Sequence, residues 1–268
     1  MVELIHFGDL HYGDKKEFRE EWLLNVIKYI NDIRPDAAIC TGDVVHKGRL
    51  SQYQGIIPYL EKIEVPLMVV PGNHDLKANG IIPFERFIMP RRSKMILEDK
   101  DTIIIGLNSA KGDSSEGEIG DEQLEWCAFQ FNKILENRVL ALHHHVVAVP
   151  YSGRKQTTLT DAGEILEFTQ LFEIDLVLMG HKHIPHAYQI GNTTYLYCGT
   201  ASSIKVRAKE TASFNHIILD GGNLDVDIVD SSTLERSPLF TKKEGLTRFI
   251  RPRKTRIEHL INMRLFNE

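Results

Sequence analysis

Five short apolar runs in this chain each stop at a carboxylate, an amide or an imidazole. Ile5-His6-Phe7 runs into Gly8-Asp9-Leu10-His11, and Ala37-Ala38-Ile39-Cys40 into Thr41-Gly42-Asp43. Pro66-Leu67-Met68-Val69-Val70 runs into Pro71-Gly72-Asn73-His74-Asp75. Val139-Leu140-Ala141-Leu142 is followed by His143-His144-His145, and Leu176-Val177-Leu178-Met179 by Gly180-His181-Lys182-His183. Apolar runs this short, bounded by Gly and Pro, read as strands buried on both faces, the habit of parallel sheets covered by helices. In open α/β sheets, ligands sit beyond the carboxyl ends of the strands. The pattern therefore predicts one polar rim assembled from distant parts of the chain.

The segments between the runs fit that frame. Trp22, Leu23, Val26, Ile27, Ile30 and Ile33 recur at helical spacing within 17–34, and Pro35 stops the helix before a strand over 36–41. Strand, helix, strand at this spacing is a βαβ unit with parallel strands. A second helix is expected over 51–63, kinked or broken by Gly55 and Pro58. Further along we expect a short helix over 81–89, strands over 95–98 and 102–108, a loop over 111–120 and a helix over 121–135. A loop or lid over 149–161, carrying Arg154 and Lys155, precedes a helix over 162–172. Two hairpins follow, 188–190 with 194–197 about Gly191-Asn192, and 214–219 with 224–229 about Gly221-Gly222. Such antiparallel strands suit a second sheet packed on the first. Tyr188, Tyr195 and Tyr197 form a stripe read as sheet packing. There is no internal repeat.

Charge and cysteine usage narrow the function classes. The net charge of -5 argues against a whole-chain nucleic-acid binder. From residue 241 onward the sign reverses, with eight Lys and Arg against three Glu. We expect 241–268 to be a basic C-terminal extension with a helix over 256–265, either folded back on an acidic body or serving a homodimer contact or a polyanion. No apolar run approaches the ~20 residues that span a bilayer, and the first residues lack the basic start of a signal peptide. Cys40, Cys127 and Cys198 lie far apart in apolar segments, which points to reduced, buried thiols and a cytoplasmic setting.

The rim residues carry the chemistry. Together they offer two carboxylates, one amide oxygen and up to four imidazoles, with no thiolate. That exceeds the needs of one ion and suits two divalent ions sharing a bridge. Mixed N and O ligation favours Mn²⁺, Fe or Zn²⁺. Two such ions about 3.5–4 Å apart can hold a hydroxide between them and both free oxygens of a phosphoryl group. His74, next to Asn73, is placed to protonate the leaving alkoxide, and Asp75 to orient its imidazole.

Asp9-x-His11, Gly42-Asp43, Gly72-Asn73-His74-Asp75, His143-His144 and Gly180-His181-x-His183 resemble, in order and interval, the five signature motifs of the calcineurin-like metallophosphoesterase superfamily. The resemblance covers roughly residues 1–230. It implies an α/β fold over 1–240, a four-layer αββα sandwich of two mixed β-sheets flanked by helices. It also implies that Asp9, His11 and His183 bind one metal, that Asp43 bridges, and that Asn73, His143 and His181 bind the other. His144 stands as the alternative to His143, and His74 as the proton donor to the leaving group. The chain departs from the family pattern in having Gly8 before the first Asp, where Ser is usual.

Within the superfamily the wording is most similar to the class III cyclic-nucleotide phosphodiesterases. Here His145 replaces their Pro after the double His, and His46 stands where they often have Asp or Asn. The resemblance thus implies hydrolysis of a small phosphodiester, with cyclic nucleotides, glycerophosphodiesters and simple monoesters all open as substrates. His46, His144, His145 and His186 are candidates to meet substrate or to support the ligands. The superfamily's DNA nucleases are a competing reading, but they carry a further DNA-capping domain, and only residues 230–268 follow the second hairpin. A lipid-precursor pyrophosphatase would need a larger apolar insert than 149–161, and a non-catalytic scaffold would lack ligands that are present here.

Overall fold

A computed structural model of the chain describes residues 1–112, 114–131, 135–150, 152 and 159–249. The first part holds β1 (Val2–Phe7), α1 (Glu20–Ile33), β2 (Ala37–Cys40), α2 (Leu50–Leu60), β3 (Leu67–Val69) and α3 (Ile81–Phe87). The middle holds β4 (Ser93–Leu97), β5 (Thr102–Gly106), α4 (Asp121–Gln130), β6 (Asn137–Ala141), α5 (Ala162–Leu171) and β7 (Leu176–Met179). Six strands complete it: β8 (His186–Ile190), β9 (Thr193–Tyr197), β10 (Ser213–Asp220), β11 (Asn223–Asp230), β12 (Arg236–Lys243) and β13 (Leu246–Phe249). One sheet runs β13-β12-β11-β10-β1-β2-β3 and the other β4-β5-β6-β7-β9-β8. Each is mixed, with parallel neighbours β1-β2-β3 in the first and β5-β6-β7-β9 in the second.

Two-residue alternation along the strands builds four layers. Leu4, Ile39, Met68 and Val70 of the first sheet meet Ile104, Val139, Ala141 and Leu178 of the second in one buried cluster between the sheets. The intervening residues Ile5, Phe7, Ala38, Cys40 and Val69 face outward onto Leu23, Val26 and Ile30 of α1, Tyr53 and Ile56 of α2, and Phe84 of α3. Ile103, Ile105, Leu140 and Val177 face the other way, onto Cys127 of α4 and Ile165 and Phe168 of α5. Each such aliphatic chain contributes about 1.5–3 kcal/mol on full burial. The αββα sandwich expected from the motifs is the architecture observed. All three cysteines are buried and unpaired. Tyr195 and Tyr197 are wholly buried, which makes the tyrosine stripe sheet packing.

Several local expectations need correction. The helix α2 runs unbroken through Pro58. Pro58 lies two residues from the end, so only its own bond to the preceding turn is lost. Gly55 is there for close approach: a Cβ would meet the Tyr12 hydroxyl at 2.5 Å. The two late hairpins do not share a sheet. β8 and β9 edge the second sheet, whereas β10 returns to pair antiparallel with β1, Val2 opposite Leu219. Strands β12 and β13 were not anticipated either, because Pro238 and scattered basic residues hide the alternation. The outer face of β11 explains them: Arg236 reaches Asp227 at 2.7 Å and Lys243 reaches Asp225 at 3.3 Å. Pro238 sits where the β11–β12 register shifts, a place where a strand accommodates proline. Arg154, Lys155 and the helix expected over 256–265 lie outside the described residues. Among those described, no helix is long and apolar enough to cross a membrane.

Candidate metal centre

The parallel strands of both sheets point their carboxyl ends at one edge, and the candidate residues follow directly. After β1 the main chain zips onto the turn after β2, Asp9 N–H to the Gly42 carbonyl and His11 N–H to the Asp43 carbonyl, both at 2.8 Å. This sets Asp9, His11 and Asp43 side by side. Gly42 and Gly72 let the turns after β2 and β3 touch: a Cβ on Gly42 would lie 2.6 Å from Gly72 N, and one on Gly72 would lie 2.2 Å from Asp43 Oδ1. Across the sandwich, the turn after β7 is tied in by the His181 N–H, which donates to Asp9 Oδ2 at 2.9 Å. Asp9, His11, Asp43, His181 and His183 all have left-handed backbones, with φ between 51° and 73°, a region that non-glycine residues seldom occupy unless their surroundings hold them there.

All seven expected ligands converge. Asp9, His11 and His183 form one group, and Asp9, Asp43 and His143 an adjoining one, each with donor atoms within 4.8 Å of one another. Asp43 Oδ2 lies between them, 3.8 Å from His11 Nε2 and 3.5 Å from His143 Nε2. Asn73 Oδ1 is 3.2 Å from both His143 Nε2 and His181 Nδ1. His143, His144 and His181 make a further group, so His144 also stands at the rim; its Nδ1 is engaged with Ser109 Oγ at 2.9 Å.

This donor set fits a pair of cations. His11 Nε2 and His183 Nε2 are 3.0 Å apart, and His181 Nδ1 and His143 Nε2 are 3.2 Å apart. Buried Asp9 Oδ1 has no hydrogen-bond partner, nor does His181 Nε2. Converging lone pairs and orphaned buried oxygens carry a desolvation cost that a positive charge between them removes. Burial pushes His11, His144 and His181 well below the ordinary imidazole range, which keeps them neutral and able to ligate. Burial would raise Asp43, but the imidazoles of His143, His74 and His11 outweigh it and hold its carboxyl below the usual range.

The tautomers are set by main-chain carbonyls. The Thr41 carbonyl takes the Nδ1–H of His143 at 2.7 Å, leaving Nε2 for the centre. The Lys205 carbonyl does the same for His183. Sequence reading did not find Thr41 or Lys205 because a carbonyl acceptor has no side-chain signature. The half-buried His74 is similarly fixed: its Nδ1–H donates to the His46 carbonyl at 2.8 Å, and its ring stands edge-on to His11 with centroids 4.7 Å apart.

That contact corrects the role expected of Asp75. Its carboxylate does not address the His74 ring. Fully buried, it accepts main-chain N–H groups from Gly72 at 2.8 Å, Val45 at 2.9 Å and Val44 at 3.2 Å. Asp75 therefore clips the turn after β3 to the turn after β2. Burial and then Asp43 push it up to about 7, against the pull of those three donors.

The comparisons with known proteins agree with this geometry. A family model described as Calcineurin-like phosphoesterase matches residues 2–185. The chain is 34% identical over 128 residues to a Probable glycerophosphodiester phosphodiesterase GpdQ of Arcobacter nitrofigilis, covering 46% of this chain but only 47% of that protein. It is 24% identical over 231 residues to a Probable cyclic nucleotide phosphodiesterase of Vesicomyosocius okutanii, covering 84% of this chain and 97% of the relative. Among solved structures, a purple acid phosphatase from yellow lupin superposes with a TM-score of 0.69 at 14% identity, over 88% of this chain and 52% of that one, a likeness of fold. On the family match across residues 2–185, the chain belongs to the calcineurin-like phosphoesterase family.

Proposed function

We propose that this protein is a binuclear-metal-dependent phosphodiesterase acting on small phosphodiesters. The observation that carries the reading is the pair of adjoining N/O donor groups that share Asp9, the second of which contains Asp43. Asp9, His11 and His183 would hold one divalent ion and Asn73, His143 and His181 the other, with Asp43 between them and His144 beside the second. The donor chemistry suits Mn²⁺, Fe or Zn²⁺. Bound there, the ions would neutralise charge on the phosphoryl oxygens and raise the acidity of water.

The chain's own groups do the rest. With Nδ1–H engaged by the His46 carbonyl, Nε2 is the nitrogen that exchanges the proton: Lys77 Nζ, 3.2 Å away, donates to it at rest, and once protonated it serves as the acid for the departing alkoxide. His74 N–H also donates to Asp43 Oδ1 at 2.8 Å, which keeps the acid at fixed reach from the centre. A diester is favoured over a monoester because the named relatives are glycerophosphodiester and cyclic nucleotide phosphodiesterases.

The test is turnover of bis(p-nitrophenyl) phosphate by the full chain with Mn²⁺ present. Multiple turnovers that vanish on chelation and return on metal addition are expected. Folded protein that binds Mn²⁺ yet cleaves neither this ester nor a panel of cyclic nucleotides and glycerophosphodiesters would remove the reading.

A further inference from the structure

Beside His74 a recess of about 360 Å³ is lined by His46, Lys47, Arg49, Lys77 and Ala78. Three of those five are lysine or arginine, and no acid among the described residues lines the recess. His46 leans on Asp14, with 3.5 Å between Nδ1 and the carboxylate. Lys77 Nζ lies 3.1 and 3.2 Å from the two ring nitrogens of His74, so Lys77 joins the recess to the proposed proton donor.

The cations are gathered by backbone, not by chance of rotamer. Gly48, at φ 61°, presses on the Lys77 carbonyl so closely that a Cβ would come within 2.1 Å of it. This clamps the turn bearing Lys47 and Arg49 onto the turn bearing Lys77. On the other side of Lys77, Ala78 and Asn79 hold left-handed backbones, φ 50° and 61°. Arg49 is also the residue before the first turn of α2, which contains no acid and has no capping side chain, so the positive end of that helix borders the same space.

A simple diester carries a single negative charge, and the ions held by the rim residues would already offset it. The basic side chains gathered on the far side of His74 suit a second anion. We propose that this recess is an anion subsite for a phosphate carried on the leaving alcohol, so that the preferred substrate is a phosphodiester whose departing group bears a second phosphate. The inference rests on the phosphodiesterase reading and on His74 as the acid. In the reaction, water oxygen bonds to phosphorus, the bond from phosphorus to the leaving oxygen breaks, and that oxygen takes a proton. The products are a phosphomonoester and a phosphorylated alcohol whose phosphate rests against Lys47, Arg49 and Lys77.

A pair of linear dinucleotides reads the subsite: adenylyl-(3′→5′)-adenosine with and without a 5′-terminal phosphate, each losing its 3′-oxygen as leaving group. In the Mn²⁺-loaded full chain, kcat/KM should favour the phosphorylated member by about tenfold or more at low salt, and the preference should shrink as ionic strength rises. In the Lys47→Ala/Arg49→Ala double variant it should fall below about threefold, with the change in KM and not kcat. Equal kcat/KM for the two dinucleotides in the wild type, or a preference that survives in the double variant, overturns the subsite. If neither is cleaved, the fault lies with the phosphodiesterase reading, and the pair then serves as ligands in calorimetry. Tighter binding of the phosphorylated member that is lost in the double variant upholds the subsite, and equal or absent binding overturns it.

Discussion

Replacing Asp75 with Ala separates two roles for this carboxylate, a structural clip and a partner of His74. In the structure it accepts three buried main-chain N–H groups, from Gly72, Val44 and Val45. Leaving a buried donor without an acceptor costs about 1–3 kcal/mol, and about 1.3 kcal/mol each, toward the low end because some water access is allowed, gives about 4 kcal/mol for three donors. Part of this is returned, because burial already holds the carboxyl at the unfavourable pKa of about 7. A net loss of about 3 kcal/mol corresponds to a drop of about 6 °C in Tm for a chain of this size. Asp75→Asn keeps one acceptor oxygen and should lose roughly half as much. The assay is thermal unfolding of the chelated protein, so that metal binding does not mask the change, with metal affinity measured separately by calorimetry. Both variants should also bind metal more weakly, since the clipped turns carry Asp43 and Asn73. If the chelated Asp75→Ala protein melts within about 1 °C of wild type while activity falls, the clip is wrong and Asp75 acts on the reaction.

His74→Ala should retain its metals but lose about 10²–10⁴-fold in kcat, most severely on esters with poor leaving groups and least on p-nitrophenolate esters. Gly72→Ala forces a Cβ to within 2.2 Å of Asp43 Oδ1, and calorimetry should show metal affinity reduced by at least about tenfold. The buried His6, hydrogen-bonded to Thr41 and Asn215, is lowered by burial from 6.5 to about 3. The unfolded chain therefore binds the extra proton between those values, and stability falls as pH drops below 6.5. Urea unfolding of the chelated protein should show His6 contributing a loss of about 2 kcal/mol between pH 7 and pH 5, absent in His6→Gln.

The sandwich and the rim were legible because parallel strands buried on both faces leave continuous apolar runs, and because their ends carry short, distinctive polar words. Asp9, His11, Asp43, Asn73, His143, His181 and His183 meet as expected from five separated segments. What stayed hidden depends on partners remote in sequence. Nothing local in β10 says that it will pair with β1 and not with the preceding hairpin. Strand β12 is held by its ladder to β11, and its own alternation is masked by Pro238 and basic residues. Asp75, adjacent to His74, looked like its partner, but in a tight turn neighbouring side chains point apart. The carbonyls that fix His74, His143 and His183 have no identity that a sequence can display.

Five of the residues meant to grip the cations sit in a conformation that glycine would adopt with less resistance. Glycine at any of them would relax the chain locally and remove a donor in the same stroke. Selection for heat resistance alone, with no demand for turnover, should therefore drift toward substitutions at Asp9, His11, Asp43, His181 and His183 and yield hardy, inert proteins. Any effort to make this enzyme more rugged has to hold those five positions fixed and look for its gains elsewhere, for instance on the helices or along the outer face of β11 and β12.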